Sequence, residues 1–188
     1  MTRMAGWVAT ALLCAGCVST PAPEYFTLNM EPSGKVHLQK YNVDVDRLLP
    51  AEALERNQIL IKTSPTQVEY YERAMWVERL DALVREKLQS EFGPDQDSRP
   101  TLRLSGDILA FEQVDTKAGA DALLKFNLEF RKDSASPYDM PLFSKTYELR
   151  LAASAKSPGA VVQALSQGVE QLAARIATDT DSLTIRSR

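Results

Sequence analysis

The chain has 188 residues, 44% of them apolar and 25% charged, with a formal net charge of −3. That length and balance suit one globular domain with its own hydrophobic core. An acidic chain without a Lys/Arg cluster is a poor partner for nucleic acid, where affinity comes from phosphate neutralisation, and for a membrane surface held by a basic patch. Membrane attachment would therefore have to be covalent.

Residues 1–16 read MTRMAGWVATALLCAG. Arg3 gives a short positive start, and Trp7 to Cys14 is an uncharged, mostly apolar run. The run falls short of the roughly 20 apolar residues that span a bilayer and suits the apolar region of a cleaved secretory signal. The stretch Leu13-Cys14-Ala15-Gly16-Cys17 resembles the bacterial lipobox, with Cys14 standing where Leu is usual. That resemblance implies cleavage before Cys17 and acylation of its thiol; two or three acyl chains would anchor firmly where one would not. A plain cleaved signal is one competing reading. A redox Cys14/Cys17 pair is another, but it needs a strand-to-helix setting within a folded domain. No other cysteine is present, so no disulfide is expected in the mature domain. Val18 follows Cys17; in signals of this kind the absence of Asp there implies the inner leaflet of the outer membrane. Residues 17–24, with Pro21 and Pro23, form the expected tether.

In chain order, Tyr25–Leu28 is expected as a short strand. Tyr41, Val43 and Val45 alternate with Asn42, Asp44 and Asp46 as in a half-buried strand. Ile59-Leu60-Ile61 precedes a Ser64-Pro65 turn, and Val68–Tyr71 reads as another short strand. Trp76, Leu80, Leu83, Val84 and Leu88 carry helical spacing, with Asp81 and Arg85 expected to pair and Gly93-Pro94 to stop the helix. Three long alternating segments follow. Thr101–Val114 has a bulge expected at Gly106. Ala122, Leu124, Phe126, Leu128 and Phe130 face one way in the second, and Phe143, Tyr147, Leu149 and Leu151 in the third. One-sided alternation marks an antiparallel sheet with one solvated face. Ser157 and Pro158 open a last helix with the stripe Val161, Leu165, Val169, Leu172 and Ile176, fading at Thr178.

The expected class is α/β (α+β): a mixed, largely antiparallel sheet with two amphipathic helices packed on one face. The expected layout is a signal peptide at 1–16, the lipidated tether at 17–24, one domain at 25–180 and a polar tail at 181–188. The helix-covered face should be filled by side chains, with no large internal lipid cavity.

Four stretches, in order, carry a resemblance to the ABC-type transport auxiliary lipoproteins. They are Tyr25-Phe26-Thr27-Leu28 soon after the lipobox; Val45-Asp46-Arg47-Leu48-Leu49-Pro50 leading to Ile59-Leu60-Ile61; Arg73-Ala74-Met75-Trp76-Val77-Glu78-Arg79-Leu80; and the strand-rich half closed by the Ala-rich helix from Pro158 to Ala177. The resemblance implies a role without a reaction. The protein would be a non-catalytic lipoprotein on the periplasmic face of the outer membrane, docking to that membrane a periplasmic protein with lipid-binding MCE domains that belongs to an ABC-type or related intermembrane lipid-transport system. It implies ABC-type transporter components as further partners, no cofactor beyond the lipid on Cys17, and leaves homo-oligomerisation open. A lipid carrier with its own pocket and an envelope-assembly lipoprotein are the alternatives.

Chemical readings of single residues are weaker. His37 is the only histidine, and no nucleophile-elbow sequence accompanies it. The pairs Asp44/Asp46, Asp95/Asp97 and Asp179/Asp181 lie in no twelve-residue calcium loop, and nothing offers zinc ligands. Trp76 is expected to start the core stripe, whereas Tyr71 and Met75 are the candidate partner contacts.

Overall fold

The computed structural model describes residues 21–96, 98–136 and 139–183. The elements are β1 (Glu24–Phe26), β2 (Asn42–Pro50), β3 (Gln58–Ser64), β4 (Gln67–Trp76), α1 (Leu80–Phe92), β5 (Thr101–Thr116), β6 (Gly119–Lys132), β7 (Phe143–Ala152) and α2 (Pro158–Ser182). A 3-10 turn at Glu52–Leu54 links β2 to β3. The fold is the expected mixed α+β arrangement: α1 packs on β2, α2 packs on β6 and β7, and the helices touch each other on one face of the sheet.

The strands form one sheet in the order β1-β4-β3-β5-β6-β7, with β2 also paired to β5. β5, β6 and β7 are the expected antiparallel meander. The 16-residue β5 is long enough to hold two neighbours on its other edge. β2 runs parallel along Thr101–Ile108, and β3 runs parallel at Gln113 and Val114. The 3-10 turn steps between them, held where the Ala51 amide donates to the Ile108 carbonyl at 2.9 Å.

β6 shows why the pattern was readable. Ala122, Leu124, Phe126, Leu128 and Phe130 are all fully buried, while the residues between them face the open side of the sheet. α2 buries Val161, Leu165, Val169, Leu172 and Ile176 as expected. Its start is set by Ser157, whose hydroxyl accepts from the Ala160 amide at 3.5 Å, followed by Pro158. Ser157→Ala should cost about 1 kcal/mol in denaturant unfolding. The helix does not fade at Thr178. Thr180 is buried and its hydroxyl donates to the Ile176 and Ala177 carbonyls, each at 3.0 Å, so the last turn persists to Ser182.

Other expectations need correction. Trp76 does not open the helix; it ends β4. Its amide donates to the Asn57 carbonyl at 2.6 Å, and Ala74-Met75-Trp76 pairs in parallel with Glu24-Tyr25-Phe26. The backbone is thus consumed by neighbours on both sides. Trp76 and Leu80 both point into the core, from a strand end and a helix start, and this imitates helical spacing; the core placement of Trp76 itself holds, at 2% exposure. Asp81 accepts from Arg79 Nε at 3.0 Å, where a pair with Arg85 was expected. Asn42 is buried although the alternation set it outward: its amide group donates to the Gln96 and Arg99 carbonyls and its oxygen accepts from the Gln96 amide, fastening the loop after α1. The bulge in β5 falls at Leu109, between the Ile108 and Ala110 pairs with β6. Gly106 stays in register with φ +154°, and a Cβ there would sit 2.1 Å from the Asn127 carbonyl oxygen. Gly93 stops α1 as expected, at φ +73°.

Candidate functional site

Cys17, the rest of the leader, Asp97 and the tail from 184 lie outside the described residues. Tyr71 is half-buried against the core. Its hydroxyl donates to Gln113 Oε1 at 2.5 Å; Gln113 Nε2 donates to Asp115 Oδ1 at 2.7 Å, and Lys156 Nζ bonds Asp115 Oδ2 at 2.6 Å. Burial first, then the charge of Asp115, pushes the Tyr71 hydroxyl pKa up against the opposing hydrogen bond with Gln113. Met75 is half-buried, with the exposed Tyr25 as its register partner in β1. The structure therefore commits the Tyr71 hydroxyl to an internal chain and tucks Met75 at the β1 edge.

His37 is exposed. The pair Asp179/Asp181 serves as a set of hydrogen-bond acceptors. Asp179 accepts from Lys145 Nζ and the Tyr147 hydroxyl, both at 2.7 Å, and Asp181 accepts from the backbone amides of Gln39 and Lys40. Among the described residues no group of three or more His, Cys, Asp or Glu gathers as a metal site.

A buried ionic cluster was missed from the sequence. Lys87 and Glu91 lie one turn apart on α1, with Lys87 Nζ 2.5 Å from Glu91 Oε1 and both side chains wholly out of solvent. Lys87 Nζ also donates to the Glu31 carbonyl at 2.7 Å. Glu91 accepts from the Ser33 amide at 2.9 Å and the Ser33 hydroxyl at 2.5 Å. Burial alone would raise the Glu91 pKa; the hydrogen bonds from Lys87 and Ser33, with the Lys87 charge, outweigh it and hold the carboxyl below the usual range. The cluster straps the segment between β1 and β2 onto the helices. The signal was present: positions 80, 84, 87 and 91 continue the core stripe of α1, so a lysine and a glutamate at i, i+4 on that stripe had to be buried together.

The helix-free face of the sheet carries the more open feature. A groove of about 410 Å³ lies there, lined by Leu54 of the 3-10 turn, Lys62 of β3, Val68 of β4, Glu112 of β5 and Leu123 and Lys125 of β6, among others. The Leu109 bulge builds it. Before the bulge the even-numbered residues of β5, such as Leu104 and Ile108, face the core; after it the odd-numbered Phe111 and Gln113 do, and Ala110 and Glu112 turn to the groove side. Leu109 itself is pushed outward and stands 44% exposed, and Val68 stands 51% exposed. The Tyr70 hydroxyl holds the 3-10 lip by donating to the Ala53 carbonyl at 2.9 Å. Glu112 is 7% exposed, and burial raises its carboxyl pKa against the milder opposing charge of Lys62.

No match is found among curated proteins. Two solved structures share the fold. One, a protein from Xanthomonas campestris, has a TM-score of 0.67 at 15% identity, covering 86% of this chain and 100% of the other. The second, described only as an uncharacterized protein, has a TM-score of 0.62 at 18% identity, covering 85% and 99%. A family model described as the ABC-type transport auxiliary lipoprotein component matches residues 26–177, from the end of β1 to the last turns of α2. That span takes in α1, most of α2 and the whole sheet beyond the first residues of β1, and the chain belongs to the ABC-type transport auxiliary lipoprotein family.

Proposed function

We propose that the protein is a non-catalytic lipoprotein, anchored through Cys17 to the inner leaflet of the outer membrane, which docks a periplasmic MCE-domain protein of an intermembrane lipid-transport system. The observation that carries this reading is the family match across residues 26–177. Three further features support it. The leader reads as a lipoprotein signal ending at Cys17. No helix among the described residues is long and apolar enough to cross a membrane, so attachment by a lipid fits. The open sheet face leaves Leu49, Val68 and Leu109 exposed, as a contact surface requires. Docking is favoured over carriage because α2 lies tight against the sheet where it crosses β6. A Cβ on Gly168 of α2 would lie 2.4 Å from the Leu124 side chain of β6, so helix and sheet already meet closely.

The test is crosslinking in whole cells followed by mass spectrometry, comparing wild type with Cys17→Ser. Wild type should bring down an MCE-domain protein, and the variant should lose most of that yield together with its membrane fractionation. Recovery of only cell-wall or outer-membrane assembly factors would sink the transport role and favour an envelope-assembly lipoprotein.

A further inference from the structure

The directions of the strands decide which end of the domain an anchor at Cys17 can bring to a membrane. β3 and β5 run parallel with Lys62 level with Val114, so the β3–β4 turn (residues 64–66) and the β5–β6 turn (residues 117–118) close the same end of the sheet. The loop at 153–157 returns to that end, since the Ala153 amide donates to the Ala120 carbonyl at 2.9 Å and Lys156 Nζ bonds Asp115 Oδ2 at 2.6 Å. β1 runs parallel to β4, so its N-terminal side also points there. Tyr25 is level with Met75 and hence with Gln58, which lies six residues from Ser64 along β3. Its height above the turns is therefore about 20 Å. The eight residue steps from Cys17 to Tyr25 reach at most about 29 Å. With Cys17 at the bilayer surface and the domain upright, the turns stay within about 10 Å of the headgroups. The opposite end is out of easy reach. Thr101 lies twelve residues back along β5 from Gln113, the partner of Ile61. That puts it about 30 Å from the level of Tyr25, with the loops at 93–100 and 133–142 further still.

Reach leaves two poses: the turns against the membrane, or the β1–β4 margin laid flat on it. Charge separates them. The margin exposes Glu24, Glu69, Glu72 and Glu78 against Arg73 and Arg79, an unfavourable face for lipid phosphates. Residues 64–66, 117–118 and 153–157 include Lys117 and Lys156 and no acidic residue. Lys156 is tied to Asp115, whereas Lys117 is exposed and has no partner among the described residues. The remaining side chains of these loops are Ser, Thr, Ala and Pro, too small to hold the end away from headgroups. We propose that the domain stands end-on on the phospholipid leaflet that holds its anchor, with these three loops against the headgroups and Lys117 on a lipid phosphate. So few lysines are too little to keep an acidic protein on a membrane. The acyl chains do the holding, and the lysine end decides which way up the domain stands. The loops at 93–100 and 133–142, with Met140 89% exposed, then point away from the lipid, toward an approaching partner. The proposal rests on the reading of Cys17 as the lipid anchor.

The experiment places the acylated protein in vesicles of phosphatidylethanolamine and phosphatidylglycerol that carry a nitroxide quencher on the headgroup. A fluorophore is attached in three separate variants: Ala118→Cys at the turn end, Val77→Cys at the β1–β4 margin and Met140→Cys at the far end, all exposed positions. Quenching at Ala118→Cys should exceed that at each of the other two at least threefold. Adding Lys117→Glu to Ala118→Cys should halve its quenching while the fraction of protein on the vesicles stays the same. Strongest quenching at Val77→Cys would lay the domain on its side, and strongest quenching at Met140→Cys would invert it. Equal quenching at all three would leave it swinging on its tether. Each of these overturns the proposal, as does indifference to Lys117→Glu. Protein that leaves the vesicles altogether would sink the anchor, and the proposal with it; equal quenching on protein that stays would sink the proposal alone. No docked partner is present, so the crosslinking result stands or falls separately.

Discussion

Lys87→Ala is expected to lower the free energy of unfolding by about 3–5 kcal/mol, because it leaves Glu91 charged, buried and short of its main partner. The lysine is wholly out of solvent, 2.5 Å from Glu91 Oε1 and 3.9 Å from Glu170 Oε1, and any water that entered the space left by its side chain would bring no counter-charge to Glu91. The double replacement Lys87→Met with Glu91→Leu should recover most of that loss, since neither charge is then stranded. It should not restore the strap: the Ser33 amide loses its acceptor, and its hydrogen exchange should accelerate although the core is sound. Acid should act in the same direction as the single change. The Glu91 pKa is depressed in the folded protein, so its contribution is present above the unfolded-state value and is lost as pH falls through the folded one. The stability gap between wild type and the double variant should therefore narrow as the solution is made acidic. A gap that stays constant from neutral pH into strong acid would show that Glu91 is not held in its ionised form.

Gly106→Ala should be the most damaging change on the sheet. The residue has φ +154°, which an L side chain rarely adopts, and its Cβ would collide with backbone at Asn127, where no rotamer can relieve the contact. The dihedral penalty is about 1–3 kcal/mol, and forcing β5 away from β6 adds about as much again. Gly119 provides the control. It has a similar φ of +150° but nothing within 4 Å of where an added methyl group would stand, so Gly119→Ala should show the dihedral penalty alone. Denaturant unfolding of the two variants separates the terms, and equal losses would refute the collision.

How much of this could be read from the sequence depended on which force shaped each segment. β6, β7 and α2 were legible because one face of each meets the core and the other meets water, so hydrophobic alternation alone defines them. The end of β4 was not, because its identity comes from pairing with β1 and Asn57, which no local pattern reports. The bulge was expected in the right strand but for the wrong cause. The sequence shows the phase change in β5; only the pairing with β6 shows that Leu109 makes it and that Gly106 answers a different need, close approach of the strands. Of the candidate site, Tyr71 and Met75 were chosen as if they flanked a helix entry, and the strand places them elsewhere. Glu112 had no sequence signal of its own, since the one-residue shift of phase turns it from the core side to the groove, whose walls come from other segments.

The strap between β1 and β2 has a mechanical consequence. A pull on the N-terminus enters the domain at Glu24, where β1 is only three residues long and sits at the margin of the sheet. Behind it come fastenings in sequence, among them the Asn29 amide on Ser166 of α2, Ser33 on Glu91 of α1, and the Gln39 and Lys40 amides on Asp181 near the end of α2. Because they are arranged one after another along the chain, tension reaches each only when the one before it has let go. β2, which is locked beside β5 in the core, bears force last. Under a pull on the N-terminus the strap should therefore act as a shock absorber in series with the fold, lengthening in steps before β2 is loaded, as single-molecule stretching would show.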